Sequence, residues 1–329
     1  MSQLVPSVAP TPGPTGIPDP GKGVVRAGDR IFGGAAKAAG VLVIALVAAV
    51  AAFLLVKAVP SLLDDKSNFL FSRDWEIAPG DLHFGIAGML WTTVLVSLFA
   101  MTLAVPVAVG IALFLVFYIP RRAAGPLASL VDLLAAVPSV VYGIWGIYTL
   151  SPKLKPLEGK IQDLFGWVPL FDTTGVSRGT VFTAGIVLAI MILPIITAIS
   201  REVFVQVPQS NLEAALGLGA TRWEMIRTAV LPFGRPGVIS ASMLGLGRAL
   251  GETIAITLIL STTASGAPFN ASLFNGGETF ASKIANNAAE FDSPAKTGAF
   301  IAAGLVLFIL TFAVNALARV IINRRKEFA

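Results

Sequence analysis

Six long apolar runs constrain this chain more than any other feature of its sequence. A hydrocarbon core about 30 Å thick is crossed by roughly 20 apolar residues in helical conformation. The composition agrees, since 55% hydrophobic against 13% charged residues does not suit a soluble domain of 329 residues. We therefore predict an all-α integral membrane protein with six transmembrane helices. The runs occupy approximately residues 34–60, 87–118, 127–150, 178–200, 236–262 and 297–321. The second run is long but counts once, because Pro106 and Gly110 can kink a single helix.

The distribution of lysine and arginine predicts the orientation of these spans. Positively charged loops stay on the cytoplasmic side of a membrane. With the N-terminus inside, basic residues outnumber acidic ones in the cytoplasmic segments, whereas the external segments are slightly acidic. The sequence thus places both termini in the cytoplasm and explains the basic pI of about 9.6. No nucleic-acid partner is expected, because the basic residues are spread over four segments. In the cytoplasmic segments that follow the N-terminal one, the basic residues include Arg121, Arg122, Arg201, Arg222, Arg227, Arg235, Arg319, Arg324, Arg325 and Lys326.

The first 30 residues differ in composition from the rest of the chain. They are rich in proline and glycine and lack the apolar core of a signal peptide. We predict a disordered cytoplasmic tail over 1–30 and a transmembrane permease domain over 31–329.

The sequence lacks the residues that several kinds of functional site require. Cysteine is absent and His83 is the single histidine, so neither a disulfide nor a metal centre is predicted. No GxxxxGK[ST] phosphate loop occurs. If ATP drives a process here, another chain must bind it, and this chain is not an enzyme.

Residues 207–236, between the fourth and fifth runs, predict two short helices. Ser210 with Glu213 fits a capping box, and glycines 217 and 219 can end the first helix. Thr221 with Glu224 makes a second capping box, and Pro232 is predicted to close that helix. A helix-turn-helix over about 208–232 is therefore expected to project into the cytoplasm.

The stretch EAALGLGATRWEMIRTAVLP, residues 213–232, resembles the EAA loop of ABC importer permeases. It departs from that pattern at Ala229, where the family usually has isoleucine. The resemblance implies a coupling helix that docks in a groove of a cytoplasmic ATPase. The matching positions are Glu213, Ala214, Ala215, Gly219, Leu231 and Pro232.

Three further stretches resemble the PstC family of phosphate importer permeases. They are residues 75–115, residues 134–152 with the sequence LAAVPSVVYGIWGIYTLSP, and residues 245–256 with the sequence GLGRALGETIAI. The resemblance runs from about residue 30 to the C-terminus. It implies the MetI-like architecture of type I ABC importers in the cytoplasmic membrane of a prokaryote. It also implies a PstA-like sister permease, two PstB-like ATPase subunits that bind ATP and magnesium, an external PstS-like phosphate-binding protein, and no cofactor in this chain.

Two charges interrupt the fifth apolar run near the predicted midplane. Arg248 and Glu252 would share one face of a continuous helix. A central arginine costs roughly 2.5–3.5 kcal/mol on insertion scales, so both side chains should face protein or water. Two interpretations stay open. In the first, the two charges neutralise each other or partners on the sister subunit and only fix packing. In the second, Arg248 offers its donors to phosphate in the translocation path while Glu252 orients it.

Other polar residues in the spans are weaker candidates. Thr253 and Thr257 either line the same path or bond back to their own helix. Pro138 and Ser139 break the third run, so residues 138–146, with Tyr142, form either a gate or a simple kink. Asp132 can pair with Arg121 or Arg122, or contact the coupling region.

The external loops 61–86, 151–177 and 263–296 are long enough to dock a binding protein. The predicted mechanism is alternating access driven by partner ATPases. The alternatives are a permease for sulfate or molybdate, and a proton-coupled secondary carrier that uses Arg248 and Glu252 as a relay.

Overall fold

A computed structural model describes residues 27–78, 81–172, 178–262 and 269–326 of the chain. Residues 1–26, which hold most of the predicted tail, lie outside the described residues. Twelve α-helices and one β-hairpin are present in the described ranges. The helices are α1 Ala27–Asp64, α2 Ala87–Phe117, α3 Arg121–Ala135, α4 Ser139–Trp145, α5 Ser151–Phe165, α6 Val181–Val205, α7 Gln209–Gly217, α8 Arg222–Met225, α9 Leu231–Leu250, α10 Ile254–Ile259, α11 Phe280–Asn286 and α12 Pro294–Lys326. Two π-helical turns, Gly146–Leu150 and Ile226–Val230, join α4 to α5 and α8 to α9.

The predicted set of membrane spans is largely confirmed. In the described ranges, five helices are long and apolar enough to cross a bilayer: Gly28–Asp64, Ala87–Phe117, Val181–Val205, Arg222–Leu250 and Pro294–Val320. A sixth span is supplied if the helix pair Arg122–Ala135 and Ser139–Phe165 counts as one. The second run is a single helix, as predicted, despite Pro106.

The third predicted span, 127–150, is not one straight helix. α3 and the helix that follows it meet at 83°. Pro138 stands at the start of α4 and cannot continue the helical hydrogen-bond pattern of α3. The bend therefore follows from the proline identified in the sequence, but hydropathy alone predicts a straight span.

The described residues from 51 to 326 belong to one compact unit, and the described residues 27–50 belong to another. The core of the larger unit lies between α2, α6 and α9. Alanines recur every fourth residue along α2, at positions 100, 104 and 108, and all three are buried. Small side chains at this spacing let two helices approach closely, which maximises van der Waals contact where lipid removes the hydrophobic driving force. Their partners on α6 include Val187, Leu188, Ile192 and Ile196.

A two-stranded antiparallel hairpin of β1 Trp75–Ala78 and β2 Asp81–Phe84 lies in the loop 61–86, which the sequence predicts to be external. Trp75 attaches the hairpin to α12, since its ring lies 5.3 Å from the Phe300 ring. The Lys66 ammonium lies 2.7 Å from the Asp81 carboxylate, and this hydrogen bond lowers the pKa of Asp81. His83 is partly exposed and lies 3.1 Å from the same carboxylate.

Helix α10 packs against α4 through glycine. A Cβ atom on Gly143 would lie 2.9 Å from Leu258 Cδ1 and 3.0 Å from Ala255 Cα. The second of these atoms belongs to the backbone and cannot swing aside. Glycine at position 143 therefore sets the separation of the two helices.

We expect Gly143→Ala to lower the melting temperature of the detergent-purified protein. Overpacking of a tight contact costs typically about 1–3 kcal/mol. Gly110→Ala is the matched control, because a Cβ atom on that helical glycine meets nothing within 4 Å. Equal melting temperatures for the two variants would contradict the close contact between α4 and α10.

Candidate translocation path and coupling loop

The fifth apolar run is broken next to its two charges. α9 ends at Leu250 and α10 begins at Ile254, so the continuous helix predicted over 236–262 is wrong. The Glu252 carboxylate accepts a hydrogen bond from the backbone N–H of Ala255 at 3.2 Å. That bond takes the place of a helical one and gives α10 a separate start. Gly251, which lacks a Cβ atom, stands at the end of α9.

The break separates the environments of the two charged side chains. Glu252 is buried, whereas Arg248 is exposed. Among the described residues, Arg248 and Glu252 form no ion pair with each other. The predicted arrangement in which Glu252 orients Arg248 therefore has no direct contact to support it.

Arg248 lines a cavity of about 490 Å³. Five lining residues come from one face of α9, where they recur at the spacing i, i+3, i+4, i+7 and i+8. α6 and α12 close the cavity with Ile195 and Asn315. The five residues on α9 are Ser240, Met243, Leu244, Gly247 and Arg248.

Gly247 contributes open space to this cavity. A Cβ atom at that position would meet nothing within 4 Å. The sequence suggests a small-residue spacing at Gly247 and Gly251 that lets another helix approach. Within the described part of this chain, no other helix comes within 4 Å of that Cβ position.

Asn315 is a lining residue that sequence reasoning missed. It is the only side-chain amide in the last apolar run, residues 297–321. This single amide could have indicated a cavity-facing position from the sequence, because a polar residue inside a span tends to face protein or a water-filled cavity. The structure brings it to the cavity that Arg248 lines.

The two threonines are not among the residues that line this cavity. Thr253 Oγ1 donates to the Gly251 carbonyl at 3.2 Å, which matches the local bonding considered from the sequence. Thr257 Oγ1 is buried without a partner in the described ranges. Their part in a translocation path stays a prediction.

The gate candidates lie at the bend between α3 and α4. The Tyr142 hydroxyl donates to the Leu134 carbonyl at 2.9 Å and so bridges the bend. Pro138 precedes α4, and Ser139 is its first residue. The three gate candidates thus lie at the bend, and their role as a gate stays a prediction.

Asp132 is exposed on α3. It forms no ion pair with Arg122, and the Arg121 side chain lies outside the described part of the chain. Its predicted pairing with Arg122 is therefore not present.

The predicted helix-turn-helix is present as α7, a short turn and α8. Gly219 makes the turn with φ of 85°, the left-handed region that other residues rarely adopt. At the start of α8, Thr221 Oγ1 accepts from the Glu224 N–H, and the Glu224 carboxylate accepts from the Thr221 N–H at 2.7 Å. This is the predicted capping box.

Two details of the loop differ from the sequence prediction. α7 begins after Pro208 without a side-chain cap, so the capping box of Ser210 and Glu213 is wrong. α7 has no buried residue, so water can accept the hydrogen bonds from the N–H groups of its first turn. Pro232 does not close the second helix, because α8 continues through the π-helical turn into α9. The proline lies in the first turn of α9.

The loop has one buried side and one exposed tip. Ile226 and Val230 are fully buried in a cluster with Phe204 of α6 and Ala112 of α2. Ala215 and Leu231 pack against that cluster, whereas Glu213, Ala214, Gly219 and Pro232 are exposed.

At the tip of the loop, the side chains of Leu218 and Trp223 are 90% and 57% exposed. Such apolar exposure beside a rigid anchor is typical of a surface for a protein partner.

Comparison with known proteins decides the family. Residues 104–327 match the family of binding-protein-dependent transport system inner membrane components. Phosphate transport system permease protein PstC 2 of Mycobacterium tuberculosis is 54% identical over 300 residues, which are 90% of this chain and 92% of that protein. PstC of Mycobacterium leprae is 51% identical over 323 residues, 97% of this chain and 99% of that protein. The chain belongs to the PstC family.

The solved structures agree on the fold of this PstC-family chain. An inward-facing MetNI methionine ABC transporter chain superposes with a TM-score of 0.50 over 73% of this chain and 94% of that one, at 15% sequence identity. That identity supports the fold alone. A PstC-family chain is a multi-pass membrane permease that performs no bond chemistry and works with a second permease, an ATPase and a binding protein.

Proposed function

We propose that this chain is the permease subunit of an ATP-driven importer of inorganic phosphate. The observation that carries the proposal is the continuous helix Arg222–Leu250. Its first turn belongs to the coupling loop, and its last turn holds Arg248. At 1.5 Å per residue the two ends lie roughly 40 Å apart, so one rigid element links the cytoplasmic surface to the cavity. A movement imposed on the loop by an ATPase is thereby transmitted to Arg248.

The cavity has the chemistry for an oxyanion. The Arg248 guanidinium is planar and permanently charged, with a fork of donors that matches two oxygens of a phosphate group. Its side chain forms no ion pair with any described carboxylate, so its charge is available to a passing anion. The name phosphate transport system permease on relatives above 50% identity supports phosphate as that anion.

The finer assignments follow from the same proposal. The sister permease is PstA-like, two PstB-like subunits bind ATP and magnesium, and a PstS-like protein delivers phosphate from outside. Leu218 and Trp223 supply the apolar contacts to the ATPase. The β-hairpin and α11 belong to the external loops that face the binding protein. Both termini are cytoplasmic, and the membrane is the cytoplasmic membrane of a prokaryote, with the basic segments inside.

The proposal is tested by reconstituting the complete importer in proteoliposomes with labelled phosphate. We expect uptake to require ATP and the loaded binding protein, and to persist when a protonophore collapses the proton gradient. Uptake that follows the gradient without ATP would instead favour the proton-coupled carrier. Strong competition by sulfate or molybdate would favour a permease for another oxyanion.

A further inference from the structure

We propose that Asn315 is a second anion-contacting residue, which acts with Arg248 in the same cavity. The inference rests on the proposed function and extends it to a residue on a different helix. Both side chains line the cavity of about 490 Å³. α9 supplies the cation and α12 supplies the amide, so the anion is held between two elements of the fold.

The hydrogen-bonding state of Asn315 supports this assignment. The Asn315 side chain is exposed at the cavity, and its amide makes no hydrogen bond to another described residue. Most polar side chains in spans find a partner on their own or a neighbouring helix. By contrast, Ser240 in the same cavity donates back to the Pro236 carbonyl at 2.9 Å. Of these two, Asn315 has donors and an acceptor still open to the cavity.

The amide adds a property that Arg248 lacks. A guanidinium only donates, whereas an asparagine side chain both donates and accepts. Monohydrogen phosphate carries one O–H group, and sulfate carries none near neutral pH. Asn315 can therefore donate to one phosphate oxygen and accept from the O–H group, while Arg248 binds the charged oxygens. This pairing favours a protonated oxyanion over a fully ionised one.

The position of the cavity assigns it to the inner half of the path. It extends along α9 from Arg248 back to Ser240, which lies eight residues nearer the coupling loop. At 1.5 Å per residue this is about 12 Å. Asn315 lies in the C-terminal half of α12, whose end is basic and predicted to be cytoplasmic. The anion thus meets Asn315 on its way to the cytoplasm, after the binding protein has released it.

The test uses the reconstituted importer with its binding protein and measures labelled phosphate moved per ATP hydrolysed. Asn315→Leu keeps a similar volume but removes every hydrogen bond. We expect it to lower the ratio about tenfold, the loss typical for a hydrogen bond to a charged group. Asn315→Gln, which keeps the amide, should recover at least half of the ratio. Thr102→Val is the control, because that exposed α2 residue does not line the cavity and bonds its own helix.

The ratio separates a path residue from a structural one. A packing defect lowers ATP hydrolysis and transport together and leaves the ratio unchanged. An unchanged ratio in Asn315→Leu, or a Gln variant as impaired as the Leu variant, would overturn the assignment. A wild-type importer that moves no phosphate would overturn the proposed function itself. If the wild-type importer moves phosphate and Asn315→Leu leaves the ratio unchanged, only the role proposed for Asn315 is refuted.

Discussion

Phosphate uptake is expected to fall at least about thirtyfold when Arg248 is replaced by glutamine. The substitution keeps a polar side chain of comparable length but removes the positive charge from the cavity. A bidentate contact to the anion loses two hydrogen bonds to a charged group, each worth roughly 1.5–3 kcal/mol, and each 1.4 kcal/mol is a factor of ten. The measurement is labelled phosphate uptake in cells that lack the native chain. Membrane levels and ATPase co-purification are matched between variants.

The control for this prediction is Arg235→Gln, on the same helix. Arg235 is exposed but does not line the cavity. Its loss changes the charge of α9 equally and leaves the cavity intact. If Arg248→Gln assembled normally and took up phosphate at the wild-type rate, Arg248 would be a packing residue, and the anion path would lie elsewhere.

The second large effect is expected at the turn of the coupling loop. Gly219→Val should uncouple ATP hydrolysis from transport, because φ of 85° at this position excludes a β-branched side chain. Left-handed backbone costs even ordinary residues roughly 1–2 kcal/mol. The turn must then rearrange and displace Leu218, the apolar tip. The readout is stimulation of ATPase activity by the phosphate-loaded binding protein, which should be lost although the complex still forms.

Gly217→Val separates the turn geometry from simple bulk. Gly217 is the last residue of α7, and a Cβ atom there meets nothing within 4 Å. Valine is a better helix former than glycine, so the helix itself should tolerate it. Retained stimulation in Gly217→Val beside its loss in Gly219→Val supports the role of the turn. Equal behaviour of the two variants would refute it.

Hydropathy and turn chemistry predict much of this fold for definite physical reasons. A bilayer requires about 20 apolar residues per span, so spans such as α2 and α6 can be recognised in the sequence as long apolar runs. The Thr221 capping box and the turn at Gly219 depend on residues within one turn of each other, and both are present. Local chemistry predicts these two features correctly, but it fails for the capping box of Ser210 with Glu213.

Failures of prediction occur where distant or competing contacts decide. The break at Gly251 depends on the Glu252 carboxylate accepting a backbone N–H, which competes with the helical pattern. The π-helical turn lets a helix run past Pro232, whereas a sequence rule ends it there. Asn315 and Arg248 come together only through the packing of α12 and α9. The first two outcomes come from local bonding that competes with a regular helix, and the third depends on tertiary structure. The sequence therefore predicts only part of the candidate site.

The π-helical turn Ile226–Val230 has a consequence for how residues are counted along the coupling helix. Such a turn accommodates one residue more than an α-helix, and each residue advances a helix by about 100°. The angle at which Trp223 points, relative to Arg248, therefore depends on the number of residues in this segment rather than on their identity. In homologous chains, side chains in this segment can change without turning the residue at position 223 relative to the one at position 248. Only an inserted or deleted residue would change that angle about the helix axis.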